Sequence, residues 1–226
     1  MAEAGDSMAH KSWFAGLLMV GLISPGAAAR PDQGQPTTTR LTVSIFNDAG
    51  VAESVLSQAA ERAKTVLDKA GVSSTWLNCG TPQHWRTNLG CQNLAFPTHL
   101  SVRLVAGRKA VSEDTFGQSY LDERGEGNYA NVYLAQLSSS KALGLMKEGD
   151  LLGYVMVHEV GHLLLGKDSH SAAGLMRGRW EMAELQRAAR GELFFTRDET
   201  ERIRARYLSA TARVEVVSRD LGTSGK

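Results

Sequence analysis

His158 and His162 stand four residues apart with Glu159 beside the first, and His170 follows after a glycine at position 166. On a helix, residues i and i+4 share a face, so the two imidazoles can grip one metal ion while Glu159, turned by about 100°, leans toward a bound water. Neutral imidazoles bind zinc at about 2.0–2.1 Å, and a catalytic zinc keeps three protein ligands and one open position. Zinc held this way lowers the pKa of its water to about 7. Glu159 is then the candidate general base, taking that proton and passing it to a leaving amine. The chemistry these residue types suggest is metal-assisted hydrolysis.

The elements that must position them follow from hydrophobic spacing. Leu151, Leu152, Val155, Met156, Val157, Val160, Leu163 and Leu164 make the stretch 151–165 apolar nearly all round, which predicts a buried helix with Asp150 as its cap and Gly166 as its exit. Imidazoles and a carboxylate inside such a helix cost several kcal/mol unless paired or metal-bound. Upstream, alternation predicts strands over 41–46, 72–77, 100–105, 115–121 and 129–134, with a helix over 51–70 that Gly71 ends. The polar, Gly-containing run 122–128 is an exposed turn. Downstream, 180–189 and 196–208 read as amphipathic helices, the second with Glu199, Glu201, Arg202, Arg204 and Arg206 on its solvent side, and the last dozen residues are expected to fray. The pattern is an α/β (α+β) layer with a mixed sheet.

The 226 residues suit one domain, and a 42% hydrophobic content supplies its core. The formal net charge is +1 with no basic run, which excludes nucleic acid as a partner on electrostatic grounds. Lys11 precedes the apolar residues 13–23, and Ala27, Ala28 and Ala29 follow. That order predicts a signal peptide over 1–29 cleaved after Ala29, with Met8 as an alternative start, a secreted or periplasmic destination and no stable membrane insertion afterwards. Residues 30–40 form a polar, Pro-containing lead-in, too short for a folded pro-segment; 41–210 is the catalytic domain and 211–226 a tail. Cys79 and Cys91, twelve apart in an exported chain, are expected to pair as a disulfide closing a loop that holds His84 and Trp85.

The motif resembles that of the metzincins, zinc peptidases with H-E-x-x-H-x-x-G-x-x-H, or Asp in the last place, followed by a loop that carries a methionine beneath the metal. The glycine here comes one place late, at Gly166, and Asp168 occupies the family's last ligand position, with His170 two further on. Asp168 matches the aspartate variant by count and His170 matches by chemistry, and both stay open as third ligand. Met176 in Ala173-Gly174-Leu175-Met176 resembles the Met-turn. The resemblance implies a mostly parallel sheet of four to five strands with an antiparallel edge strand, packed on the active-site helix and followed by a small helical part. It also implies that the fourth strand edges a cleft in which an extended peptide pairs by strand addition. Metzincins often carry a tyrosine after the methionine; none stands there, which leaves charge stabilisation to the zinc.

The function expected is that of a zinc-dependent endopeptidase acting on peptide or protein, with Zn2+ on His158, His162 and His170. Three alternatives compete. One is a gluzincin-like site that draws its third ligand from Glu181 or Glu184, 19 and 22 residues beyond His162, although both are more simply solvated helix carboxylates. Another is a non-catalytic secreted domain that keeps zinc for stability, against which Glu159 argues because a structural site has no use for a base. The third is an amidase of cell-wall peptides.

Overall fold

Leu41, Val43 and Ile45 of β1 (Leu41–Asn47) sink one face of the strand into the core, and Ser44 between them is buried on the other. The computed structural model describes residues 40–80, 89–92, 98–107 and 116–223. The expected signal segment and nearly all of the lead-in lie outside the described residues, as do His84 and Trp85.

The sheet has the order β2-β1-β3-β5-β4, built also from β2 (Ser74–Gly80), β3 (His99–Val105), β4 (Gly117–Tyr120) and β5 (Tyr129–Tyr133). β1 pairs in parallel with β2 and β3, and β3 with β5, whereas β4 runs antiparallel to β5 at the edge. The mixed, mostly parallel sheet with an antiparallel edge strand is as expected. The second strand begins two residues later than its alternation suggested and runs on through Cys79, because it follows β1 in register from Leu41–Ser74 onward. Cys79 is disulfide-bonded to Cys91, with Cα atoms 5.8 Å apart, in the short helix α2 (Leu89–Gln92).

Helix α1 (Glu53–Lys69) covers the sheet with Leu56, Ala59, Ala63, Val66 and Leu67. Beside it runs α4 (Glu148–Leu165), which also contacts β4 and β5. The two helices approach closely because Gly149 and Gly153 carry no side chain: a Cβ at Gly153 would lie 2.7 Å from Cβ of Arg62 and one at Gly149 2.8 Å from Cβ of Gln58. Asp150 does not cap α4. The helix begins earlier, and Asp150 in its first turn reaches across to Gln58 and Arg62 of α1 at 2.8–2.9 Å. Leu134 leaves the fifth strand and opens a short helix, α3 (Leu134–Ser138), ahead of a 3-10 turn over Lys141–Gly144; neither is marked by apolar spacing.

Two helices close the chain. α5 (Met182–Ala189) starts later than expected because Glu181 and Glu184 form a reciprocal capping box at its N-terminus. α6 (Arg197–Thr223) is longer than its amphipathic pattern indicated, and the backbone expected to fray is helical to Thr223. The residues expected on its solvent side are not all there. Glu199 is buried and accepts from the backbone N–H of Thr196 at 2.7 Å. Arg204 donates to the carbonyl of Ala70 at the end of α1, and Arg206 to those of Leu165 at the end of α4 and Gly125 in the β4–β5 turn. Cations at helix C-termini satisfy orphan carbonyls and the dipole together. Among the described residues no helix is long and apolar enough to cross a membrane.

Candidate metal centre

Helix α4 delivers the first two imidazoles and the chain after it brings back the third. Gly166 adopts φ 87°, a conformation that favours glycine, and ends the helix there. Asp168 takes φ 53° and points into solvent, so the loop turns through Asp168 and returns at His170. One ligand atom from each of His158, His162 and His170 lies within 4.8 Å of the others. Among the described residues this is the group of histidine, cysteine and acidic side chains placed to hold a metal ion, and Asp168 is not in it. The ring of His170 sits 4.7 Å from that of His162 and 5.6 Å from that of His158, with bare Gly178 against its imidazole.

The orientation of each ring has a cause. Nδ1 of His158 lies 2.7 Å from the carbonyl oxygen of Leu175. A carbonyl only accepts, so Nδ1 carries the proton and Nε2 presents its lone pair. Nδ1 of His162 lies 2.7 Å from the hydroxyl of Ser169, which is buried. The two Nε2 atoms then face each other at 3.2 Å. Two nitrogens bound tetrahedrally to one zinc at about 2.05 Å are about 3.3 Å apart, so the pair already has the spacing of two ligands on one ion. Three neutral imidazoles are a zinc donor set.

Electrostatics keep the rings in that ligand form. Burial pushes the pKa of His158 down to about 4, with the Leu175 bond opposing and His170 adding to the shift. Burial, then the neighbouring His158 and His170, push His162 down to about 3. Glu159 is buried and its pKa is pushed up to about 7, against the Ser119 hydroxyl, which lowers it. That hydroxyl lies 2.7 Å from Oε2 and 2.8 Å from the backbone oxygen of Glu159.

Met176 is fully buried and packs against α4 at Gly161, where an added Cβ would fall 2.5 Å from its sulfur and 2.9 Å from the ring of Phe195. The loop holding it is tied by the N–H of Ser171 to the carbonyl of Met176 at 3.0 Å. Trp180 donates its indole N–H to the Leu175 carbonyl at 2.9 Å and sets its ring edge-on to His158 at 5.8 Å.

The centre opens into a cleft of about 660 Å3 lined by Ser119 of β4, by Phe116 and Leu121 at either end of that strand, and by Lys141 and Trp180. Glu159 lines the same cleft. Glu181 and Glu184 do not come to the histidines. Both pair with Arg177, and Glu184 also with Arg187 at 2.5 Å. Glu184 is buried rather than solvated. Burial alone would raise its pKa, and the Glu181 N–H with Arg187 and Arg177 holds it below the usual carboxylate range. Residues that spacing did not single out, Gly117, Ser119, Ser169 and Trp180, are drawn in from outside the motif, and nothing in their local pattern marks them.

The fold and the site define a mixed α/β protein in which two histidines of a buried helix and a third from the loop after it are placed to hold a metal ion. No protein-family model matches the chain and no curated protein matches it. Among solved structures it is similar to an archaemetzincin from Methanopyrus kandleri, at 17% identity and TM-score 0.48 over 76% of this chain and 98% of that one. It is also similar to a zinc-dependent peptidase from Methanocorpusculum labreanum (strain Z), at 12% identity and TM-score 0.49 over 71% of this chain and 99% of that one. Both likenesses are distant and loose; what this chain does is carried by its own residues.

Proposed function

We propose that the protein is a zinc-dependent endopeptidase of metzincin-like design, with His158, His162 and His170 as ligands and Glu159 as general base. The observation that carries this is the convergence of three imidazoles on one point beside a buried carboxylate in an open cleft. Zinc bound there supplies Lewis-acid polarisation of a carbonyl and a water acidic enough to lose its proton near neutral pH. Glu159 takes that proton onto its carboxylate and returns it to the amine as the peptide bond breaks. In the metal-free protein burial already raises its pKa to about 7, so the site keeps the carboxyl within reach of both protonation states. Edge strand β4 offers its free side to an extended peptide. Met176 supports the helix beneath the histidines.

The proposed setting is outside the cytoplasm, for which the Cys79–Cys91 disulfide and the predicted segment 1–29 speak. The test is cleavage of a mixed peptide library by the zinc-loaded chain with and without chelator, beside Glu159→Gln. Chelator-sensitive cleavage, lost in Glu159→Gln while zinc stays bound, is the expected result. A zinc-bound wild-type protein inert to every peptide would instead favour the zinc-stabilised binding domain.

A further inference from the structure

We propose that Ser119 is the positioning residue for the Glu159 carboxylate, so that edge strand β4 aims the base as well as walling the cleft. This rests on the endopeptidase proposal for its meaning, though its geometry stands apart from it. Ser119 has one hydroxyl hydrogen and two oxygens of the same residue within reach, Oε2 of Glu159 at 2.7 Å and its backbone oxygen at 2.8 Å. The backbone oxygen lies inside α4 (Glu148–Leu165), where the helix already supplies a donor four residues on. The side-chain oxygen has no such partner, and a hydroxyl donating to a carboxylate makes the stronger, charge-assisted bond. One end of the carboxylate is therefore held by Ser119.

The other end is held by shape. A Cβ at Gly117 would fall 2.6 Å from Oε1 and 2.6 Å from Cγ of Glu159, so the carboxylate fills the space that glycine leaves. Gly117 and Ser119 are two apart on β4 and face the same side, opposite Val132 and Ala130 of β5. Strand pairing thus fixes the spacing between the gap and the hydroxyl. A glutamate has three rotatable bonds, and burial alone selects no rotamer; the Ser119–Gly117 pair selects one. Among the described residues Ser119 is the side chain that hydrogen-bonds the Glu159 carboxylate.

The experiment compares full-length wild type, Ser119→Ala and Ser119→Thr. Crystal structures read the geometry directly. In Ser119→Ala the Glu159 carboxylate should leave its wild-type rotamer while His158 and His162 stay in place, and Ser119→Thr should restore it. A Glu159 rotamer unchanged in Ser119→Ala overturns the proposal whether or not any peptide is cleaved. With a cleavable peptide, kcat should fall about 10- to 100-fold in Ser119→Ala, the range typical of partners that orient a site's working groups, with KM and bound zinc unchanged and kcat recovered in Ser119→Thr. A loss of zinc or of thermal stability that parallels the loss of kcat would overturn it in favour of simple structural support.

Discussion

His158 and Trp180 bond to the same acceptor: the carbonyl oxygen of Leu175 receives the imidazole Nδ1–H at 2.7 Å and the indole N–H at 2.9 Å. The methionine loop therefore orients a motif histidine through its backbone, and a tryptophan from beyond the loop pins that backbone in turn. Trp180→Phe keeps an aromatic ring beside His158 and removes the second donor. Zinc affinity, measured by competition with a chromogenic chelator, should fall about 10-fold. An unchanged affinity would show that Leu175 needs no second donor.

The third ligand is decided by two substitutions. His170→Ala should weaken zinc binding by more than about 100-fold, beyond the range typical of an outer partner. Asp168→Asn keeps a residue that tolerates the left-handed φ of 53° and should leave zinc binding near wild type. If metal is lost from the Asp168 variant alone, the assignment of His170 falls.

Acid should unfold the metal-free chain through the histidines. His158 and His162 have folded pKa values pushed down to about 4 and about 3 from an ordinary 6.5, so the unfolded chain binds more protons below 6.5. Their contribution is complete above that pH and is lost as pH falls toward 4. Glu159 works the other way. Its folded pKa is up at about 7 from 4.5, so its folded form prefers the proton and loses ground as pH rises from 4.5 to 7. Glu159→Gln removes the opposing group, and its stability relative to wild type should climb across that window by about 3 kcal/mol, because one proton carried over one pH unit is worth about 1.4 kcal/mol. Urea denaturation of both proteins with chelator present, from pH 4 to 8, measures it; a flat difference refutes the assignment of a buried, proton-preferring carboxyl.

Gly161→Ala sets two effects against each other. Alanine improves helix propensity by about 1 kcal/mol. The added Cβ meets the Met176 sulfur and Phe195, in a core where overpacking costs about 1–3 kcal/mol. The clash should prevail, lowering the melting temperature, and a variant as stable as wild type would mean that Met176 does not press on the helix.

Much of this was legible in the residues alone. The buried helix and the strands follow from apolar spacing, because period and burial are local properties that packing did not override, whereas the antiparallel edge came from the resemblance to metzincins. His158, Glu159 and His162 were legible because one helix holds all three. The turn from Gly166 to His170 was not, since its course depends on Asp168 taking a left-handed φ. Ser119 lies 40 positions from Glu159 and Trp180 reaches a backbone oxygen, contacts that only strand register and loop closure create. Arg204 and Arg206 look like surface charges on a helical wheel, yet they end on carbonyls of other elements. Glu184 likewise looks solvated until Arg177 and Arg187 close over it.

The reach of Arg206 to Leu165 and to Gly125 sets an order of events during synthesis. When His170 leaves the ribosome all three histidines exist as sequence, but Arg206, which latches the end of the helix that carries the first two, has yet to be made. A nascent chain therefore carries the three histidines well before it carries the arginine that ties the end of their helix to the β4–β5 turn.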